Sequence, residues 1–98
     1  MDTITAKEVE EMINSGKEVH IIDVREAAEV QQGAIPGAVN IPLSLLEFRA
    51  HELDKNKEYV MVCRSGNRSG LATQYLNAQG YHAVNMVGGM IDWEGPVE

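Results

Sequence analysis

Apolar positions first recur at helical spacing in Val9, Met12 and Ile13, a three-and-four rhythm that lays one helix face on a core. Just ahead, Thr5-Ala6-Lys7-Glu8 has the form of a capping box with Ile4 and Val9 at the staple positions, and Gly16 stands where a left-handed residue ends a helix. The spacing predicts a helix over about residues 6–15. From Val19 to Val24 the chain is short, β-branched and apolar on both parities, the mark of a strand covered on both faces and hence of a parallel sheet. A short helix is expected over 27–32. The turn-rich run Gly33-Ala34-Ile35-Pro36-Gly37 follows, and then a second short strand at 38–41.

Pro42 stops that strand and Ser44 is a candidate cap for a helix whose stripe is Leu45, Leu46, Phe48 and Leu53. Tyr59 to Val62 is the clearest buried strand. It runs directly into Cys63-Arg64-Ser65-Gly66-Asn67-Arg68, after which Leu71, Ala72, Tyr75 and Leu76 return to helical spacing up to Gly80. A last strand over 83–87 leads to Gly88-Gly89 and a short helix with Met90, Ile91 and Trp93. Strands alternate with helices from end to end, which predicts an α/β layer fold with a mostly parallel sheet.

Ninety-eight residues, 44% hydrophobic and 23% charged, suit one globular domain over 1–98. Fifteen acidic against eight basic residues give a net charge of −7, which repels a phosphate backbone or an anionic bilayer. Neither nucleic acid nor membrane is an expected partner, and no apolar run approaches spanning length. A single cysteine excludes an internal disulfide and any multi-cysteine zinc site, which suits a reducing compartment and sets cytoplasm as the expected location. The three histidines, His20, His51 and His82, have no ligand spacing, so no metal is expected.

The candidate chemistry gathers around Cys63. In open α/β sheets ligands bind at the carboxyl ends of strands, and Cys63 is placed at such an end, before a helix N-terminus. If the loop curls, the amides of Arg64, Ser65, Gly66, Asn67, Arg68 and Ser69 converge on one point, and the helix adds partial positive charge there. Arg64 and Arg68 bring two cations into an otherwise acidic chain. Such surroundings lower a thiol's pKa and make its thiolate a nucleophile. The bland alternative is a buried core cysteine, the commoner fate of that residue, and the glycine-containing, doubly basic loop argues against it. Asp23, ending a strand, is read mainly as structural, and Arg25 as a brace to a neighbouring carboxylate or a solvated charge.

Four segments together carry a resemblance: Asp23-Val24-Arg25-Glu26; Gly33 to Pro42; Cys63-Arg64-Ser65-Gly66-Asn67-Arg68-Ser69; and Gly88-Gly89-Met90-Ile91-Asp92-Trp93. In this order and spacing they resemble the signatures of a single-domain rhodanese. The resemblance implies a rhodanese-like sheet of about five mostly parallel strands with helices on both faces, Thr3-Ile4 contributing a short edge strand. It implies a thiosulfate sulfurtransferase: Cys63 carries a persulfide cradled by residues 64–69, the donor is a small anionic sulfur compound, the acceptor an external thiol, protein or cyanide, and no cofactor is needed. Ala34 departs from the histidine that many relatives place before Ile-Pro-Gly. Related phosphatases and arsenate reductases set an arginine six positions after the cysteine; here that position is Ser69, and Arg68 comes only five after. The tighter loop favours sulfur over phosphate. The competing readings are a sulfur-relay or binding module with little turnover and, behind it, a phosphatase or arsenate reductase relative.

Overall fold

The computed structural model describes residues 2–98. Five parallel strands, β1 (Thr3–Thr5), β2 (His20–Asp23), β3 (Val39–Asn40), β4 (Glu58–Val62) and β5 (His82–Val87), form one sheet in the order β1-β5-β4-β2-β3. The edge strand β1, which periodicity missed and the resemblance supplied, pairs Ile4 with Met86. Parallel neighbours need crossovers, and helices supply them. These are α1 (Ala6–Asn14), α2 (Ala27–Val30), α3 (Leu43–Arg49, running on into a 3-10 turn over Ala50–Glu52) and α4 (Asn67–Ala78). A last 3-10 turn, Gly89–Asp92, follows β5.

Alternation along β4 shows why its sequence is apolar on both parities. Tyr59, Met61 and Cys63 join Leu46, Ala72 and Leu76 in a core on one face, while Val60 and Val62 join Ala6, Val9 and Met86 on the other. Each strand residue thus reaches a different helix layer. The capping box at Thr5 and Glu8 is formed in both directions, at 3.0 and 3.1 Å, and Gly16 adopts φ +82°.

Helix α3 differs from its reading. It begins at Leu43 directly after Pro42, whose fixed φ suits a helix entry, so Ser44 lies inside the first turn and no side chain caps the end. Only Leu46 of the expected stripe is fully buried; Leu45 is half-exposed and Phe48 is 81% exposed. Two turns of helix bury one narrow line through Leu46, and Phe48 falls off it. Leu71 on α4 is likewise 60% exposed. Among the described residues no helix is long and apolar enough to cross a membrane.

Candidate active site

Strand β4 is the middle strand of the sheet, and its carbonyl end delivers Cys63 to the start of the loop that opens α4. The thiol is only 1% exposed. Gly66 takes φ +101°, and a Cβ there would crowd the Gly88 nitrogen at 3.2 Å, so the curl of the loop needs a glycine on both counts. The curl turns amides inward: the Gly66 N–H donates to Cys63 Sγ at 3.0 Å, and Ser69 Oγ lies 3.2 Å from the same sulfur. Burial pushes the Cys63 thiol up, but the Ser69 hydroxyl and the N–H groups of Ser69, Gly66 and Ser65 outweigh it, and the net pKa is lowered. Hydrogen bonds to the charged form explain the direction.

Ser69 is buried, and its hydroxyl donates to Asn85 Oδ1 at 2.6 Å, while Asn85 Nδ2 donates to the Gly66 carbonyl at 3.1 Å. One hydroxyl proton therefore stands between two acceptors. With Cys63 as a thiol, S–H donates to Ser69 and Ser69 to Asn85. With Cys63 as a thiolate, the hydroxyl turns to sulfur and Asn85 Oδ1 loses its donor. Asn85 was missed from sequence, where it is one polar residue inside a strand; its place on β5 beside the loop is a property of strand order alone.

The turn after β5 buttresses the loop from below. Met90 N–H donates to the Cys63 carbonyl at 2.9 Å and Ile91 N–H to the Arg64 carbonyl at 3.0 Å. That approach leaves no room for a side chain at Gly89, which is the physical content of the second glycine in the pair.

The arginines divide by partner. Arg25 is buried and fixed on Asp23 at 2.8 and 3.0 Å, with a further bond to the Gly33 carbonyl at 2.9 Å. Arg25 is thus a brace, and Asp23, whose side chain also accepts the Arg25 N–H, is its anchor. Arg68 pairs through both terminal nitrogens with Glu29 of α2, at 2.6 and 2.9 Å, so its guanidinium is engaged rather than open to an anion. The Arg68 hydrogen bond, reinforced by the Glu26 N–H, lowers the Glu29 pKa to about 2. Arg64 is exposed and, among the described residues, has no ion pair. Asn67 and Arg68 open α4. A cleft of about 390 Å³ beside the loop is lined by Arg25, Glu29, Gln32, Arg64, Met90 and Ile91. Ala34 is buried and donates its N–H to the Glu98 carbonyl. No three His, Cys, Asp or Glu side chains cluster as metal ligands among the described residues.

Comparison with known proteins agrees with this geometry. Residues 5–96 match the rhodanese-like domain family. YtwF of Bacillus subtilis (strain 168) is 46% identical over 92 residues, covering 94% of this chain and 89% of that protein. A sulfurtransferase of Allochromatium vinosum is 37% identical, with 95% and 88% covered. The crystal structure of a rhodanese-like domain protein from Staphylococcus aureus superposes with a TM-score of 0.94 at 39% identity, covering 100% of this chain and 97% of that one. Strand order, loop and sequence point the same way: the chain belongs to the rhodanese-like domain family of sulfurtransferases.

Proposed function

We propose that the protein transfers a sulfane sulfur through a persulfide on Cys63. The observation that supports this most is the cradle itself, a cysteine sulfur at the end of the central strand accepting the Gly66 N–H at 3.0 Å, inside a loop whose sixth position after the cysteine is Ser69. The Cys63 thiolate attacks the outer sulfur of the donor. The donor's S–S bond breaks, its inner fragment leaves with the bonding pair, and the new terminal sulfur carries the negative charge. With thiosulfate the leaving group is sulfite. Inward N–H groups in a dry loop stabilise that charge without reorganising.

Burial of Cys63 admits a slender divalent sulfur and excludes bulk water, and Arg64 is the cation free to meet an approaching anion. As the sole cysteine, Cys63 has no internal thiol to discharge it, so a thiol, protein or cyanide acceptor comes from outside and the cycle is ping-pong. Residues 64–69 are the persulfide cradle, Asp23 and Arg25 its support, and a reducing compartment its setting. The test is mass spectrometry of protein treated with thiosulfate or, separately, with methanethiosulfonate, and desalted without reductant. A gain of one sulfur on the parent and none on Cys63→Ser is expected; a parent that gains no sulfur, or a Cys63→Ser variant that still turns over, refutes the mechanism.

A further inference from the structure

Arg25 and Arg64 line the cleft beside the loop and Arg68 borders it through Glu29, but two of these three arginines are already matched: Arg25 by buried Asp23, Arg68 by Glu29. The Glu29–Arg68 pair is not buried away, since both side chains are about a third exposed, at 34% and 35%. Glu29 stands on the cleft wall with Arg64, and on the same lining Met90 and Ile91 present apolar surface, Ile91 being 65% exposed. Arg68 is near enough to Cys63 for a thiolate there to favour its charged form. An anion approaching the loop along this cleft therefore meets a carboxylate where the loop sequence offers a second cation.

We propose that Glu29 sets the donor class: by holding Arg68 and standing as a carboxylate on the cleft wall, it turns the site from dianionic donors such as thiosulfate toward singly charged sulfane donors whose apolar substituent lies on Met90 and Ile91. The inference rests on the sulfur-transfer reading above and narrows its substrate. A carboxylate close to a bound dianion acts by simple repulsion, strongest where water is scarce, and specificity is commonly built from such a repulsive element together with an attractive one. The apolar wall is the attractive one. With methanethiosulfonate as donor, the Cys63 thiolate attacks the outer sulfur, the S–S bond breaks, methanesulfinate leaves with the electron pair, and the Cys63 persulfide forms. No proton, oxidant or cofactor is required for balance.

Thiosulfate and methanethiosulfonate make a matched pair of probes, because one replaces a charged oxygen of the other by methyl and leaves the sulfane sulfur in place. In a ping-pong cycle kcat/KM for the donor reports only the first half-reaction. The experiment measures it for both donors, with cyanide as acceptor, on the parent, Glu29→Gln, Glu29→Asp and the double variant Glu29→Gln/Arg68→Met, each checked for folding by circular dichroism. In the parent, methanethiosulfonate is the better donor. Glu29→Gln raises thiosulfate kcat/KM at least tenfold and changes methanethiosulfonate less than threefold; Glu29→Asp, which keeps the charge, retains the parental ratio; and removing Arg68 cancels the gain. Equal changes for both donors in Glu29→Gln would make Glu29 merely structural, and an unchanged or lower thiosulfate value would overturn the proposal. If Glu29→Gln fails to fold, the parent and Glu29→Asp decide, a parental preference for thiosulfate being the refuting result. Failure of the parent to gain a sulfur from either donor refutes sulfur transfer itself, a different readout from a wrong donor ratio.

Discussion

Gly89→Ala places a methyl group against the floor of the active loop. The new Cβ would lie 2.5 Å from both the Cys63 and Arg64 carbonyl oxygens, whereas carbon and oxygen settle at about 3.3 Å. The turn or the loop must therefore give way by roughly 0.8 Å, and two hydrogen bonds, from Met90 to Cys63 and from Ile91 to Arg64, lie in the path of that movement. Gly89 also sits at φ +55°, which costs an L-residue about 1 to 2 kcal/mol, and overpacking adds about 1 to 3 kcal/mol. The expected destabilisation is about 2 to 5 kcal/mol, against a total of about 5 to 15 kcal/mol for a domain. A displacement near 1 Å in a positioned site costs on the order of a hundredfold in rate. Gly16→Ala is the control: it shares a positive φ of +82° but a Cβ there meets nothing within 4 Å. It is expected to lose about 1 kcal/mol and no activity. Urea denaturation gives the stabilities, and the rate of sulfur loading on Cys63, measured where each variant is folded, gives the activity. If folded Gly89→Ala loads sulfur within twofold of Gly16→Ala, the turn after β5 does not position the loop and the reasoning fails.

Asn85→Ala releases the Ser69 hydroxyl to the sulfur and leaves the Gly66 carbonyl without its side-chain donor, so the thiolate midpoint, followed by ultraviolet absorbance, should fall while stability drops by about 1 to 3 kcal/mol; a midpoint that rises contradicts the shared-proton arrangement. In the parent the hydrogen bonds from Ser69 and the loop N–H groups outweigh burial and lower the Cys63 midpoint from its ordinary value, and Ser69→Ala should raise it. Because the folded value is the lower one, ionisation of Cys63 contributes its full stability above the unfolded thiol's pKa, and that contribution is lost as pH falls through the folded value. The Glu29–Arg68 pair acts in the same sense at lower pH: its contribution is present above pH 4.5 and lost between 4.5 and about 2, and its exposure limits it to about 1 kcal/mol. Glu29→Gln should thus be less stable than the parent at pH 6 and equal to it at pH 2 in urea titrations. Phe48→Ser should change stability by less than about 0.5 kcal/mol, since that ring is exposed; a loss of 2 kcal/mol would place it in the core after all.

Local chemistry settled much of this protein in advance. A capping box needs only four adjacent residues, so Thr5 and Glu8 marked α1 correctly. Strands covered on both faces carry apolar residues on both parities, so Val19 to Val24 and Tyr59 to Val62 announced a parallel sheet, and the loop from Cys63 to Ser69 was one of the four segments that carried the family resemblance, which the match over residues 5–96 bears out. Other features depend on which elements meet. Periodicity did not find β1, because three residues carry too little pattern; its pairing with β5 gives it an identity. Phe48 and Leu71 fit helical stripes yet face solvent, because each helix buries a narrower line, through Leu46 on α3 and through Ala72 and Leu76 on α4, than its apolar spacing suggests. Asn85, sixteen residues along the chain from Ser69, reaches it only because β5 lies beside β4. The partner of Arg68 is Glu29, thirty-nine residues away, and no spacing rule links them. The sequence by itself therefore determined the family and marked the candidate loop, since the residues of that loop are consecutive. Tertiary structure alone decided which charges remain free to meet a substrate, since a charge is cancelled by whatever the fold brings beside it.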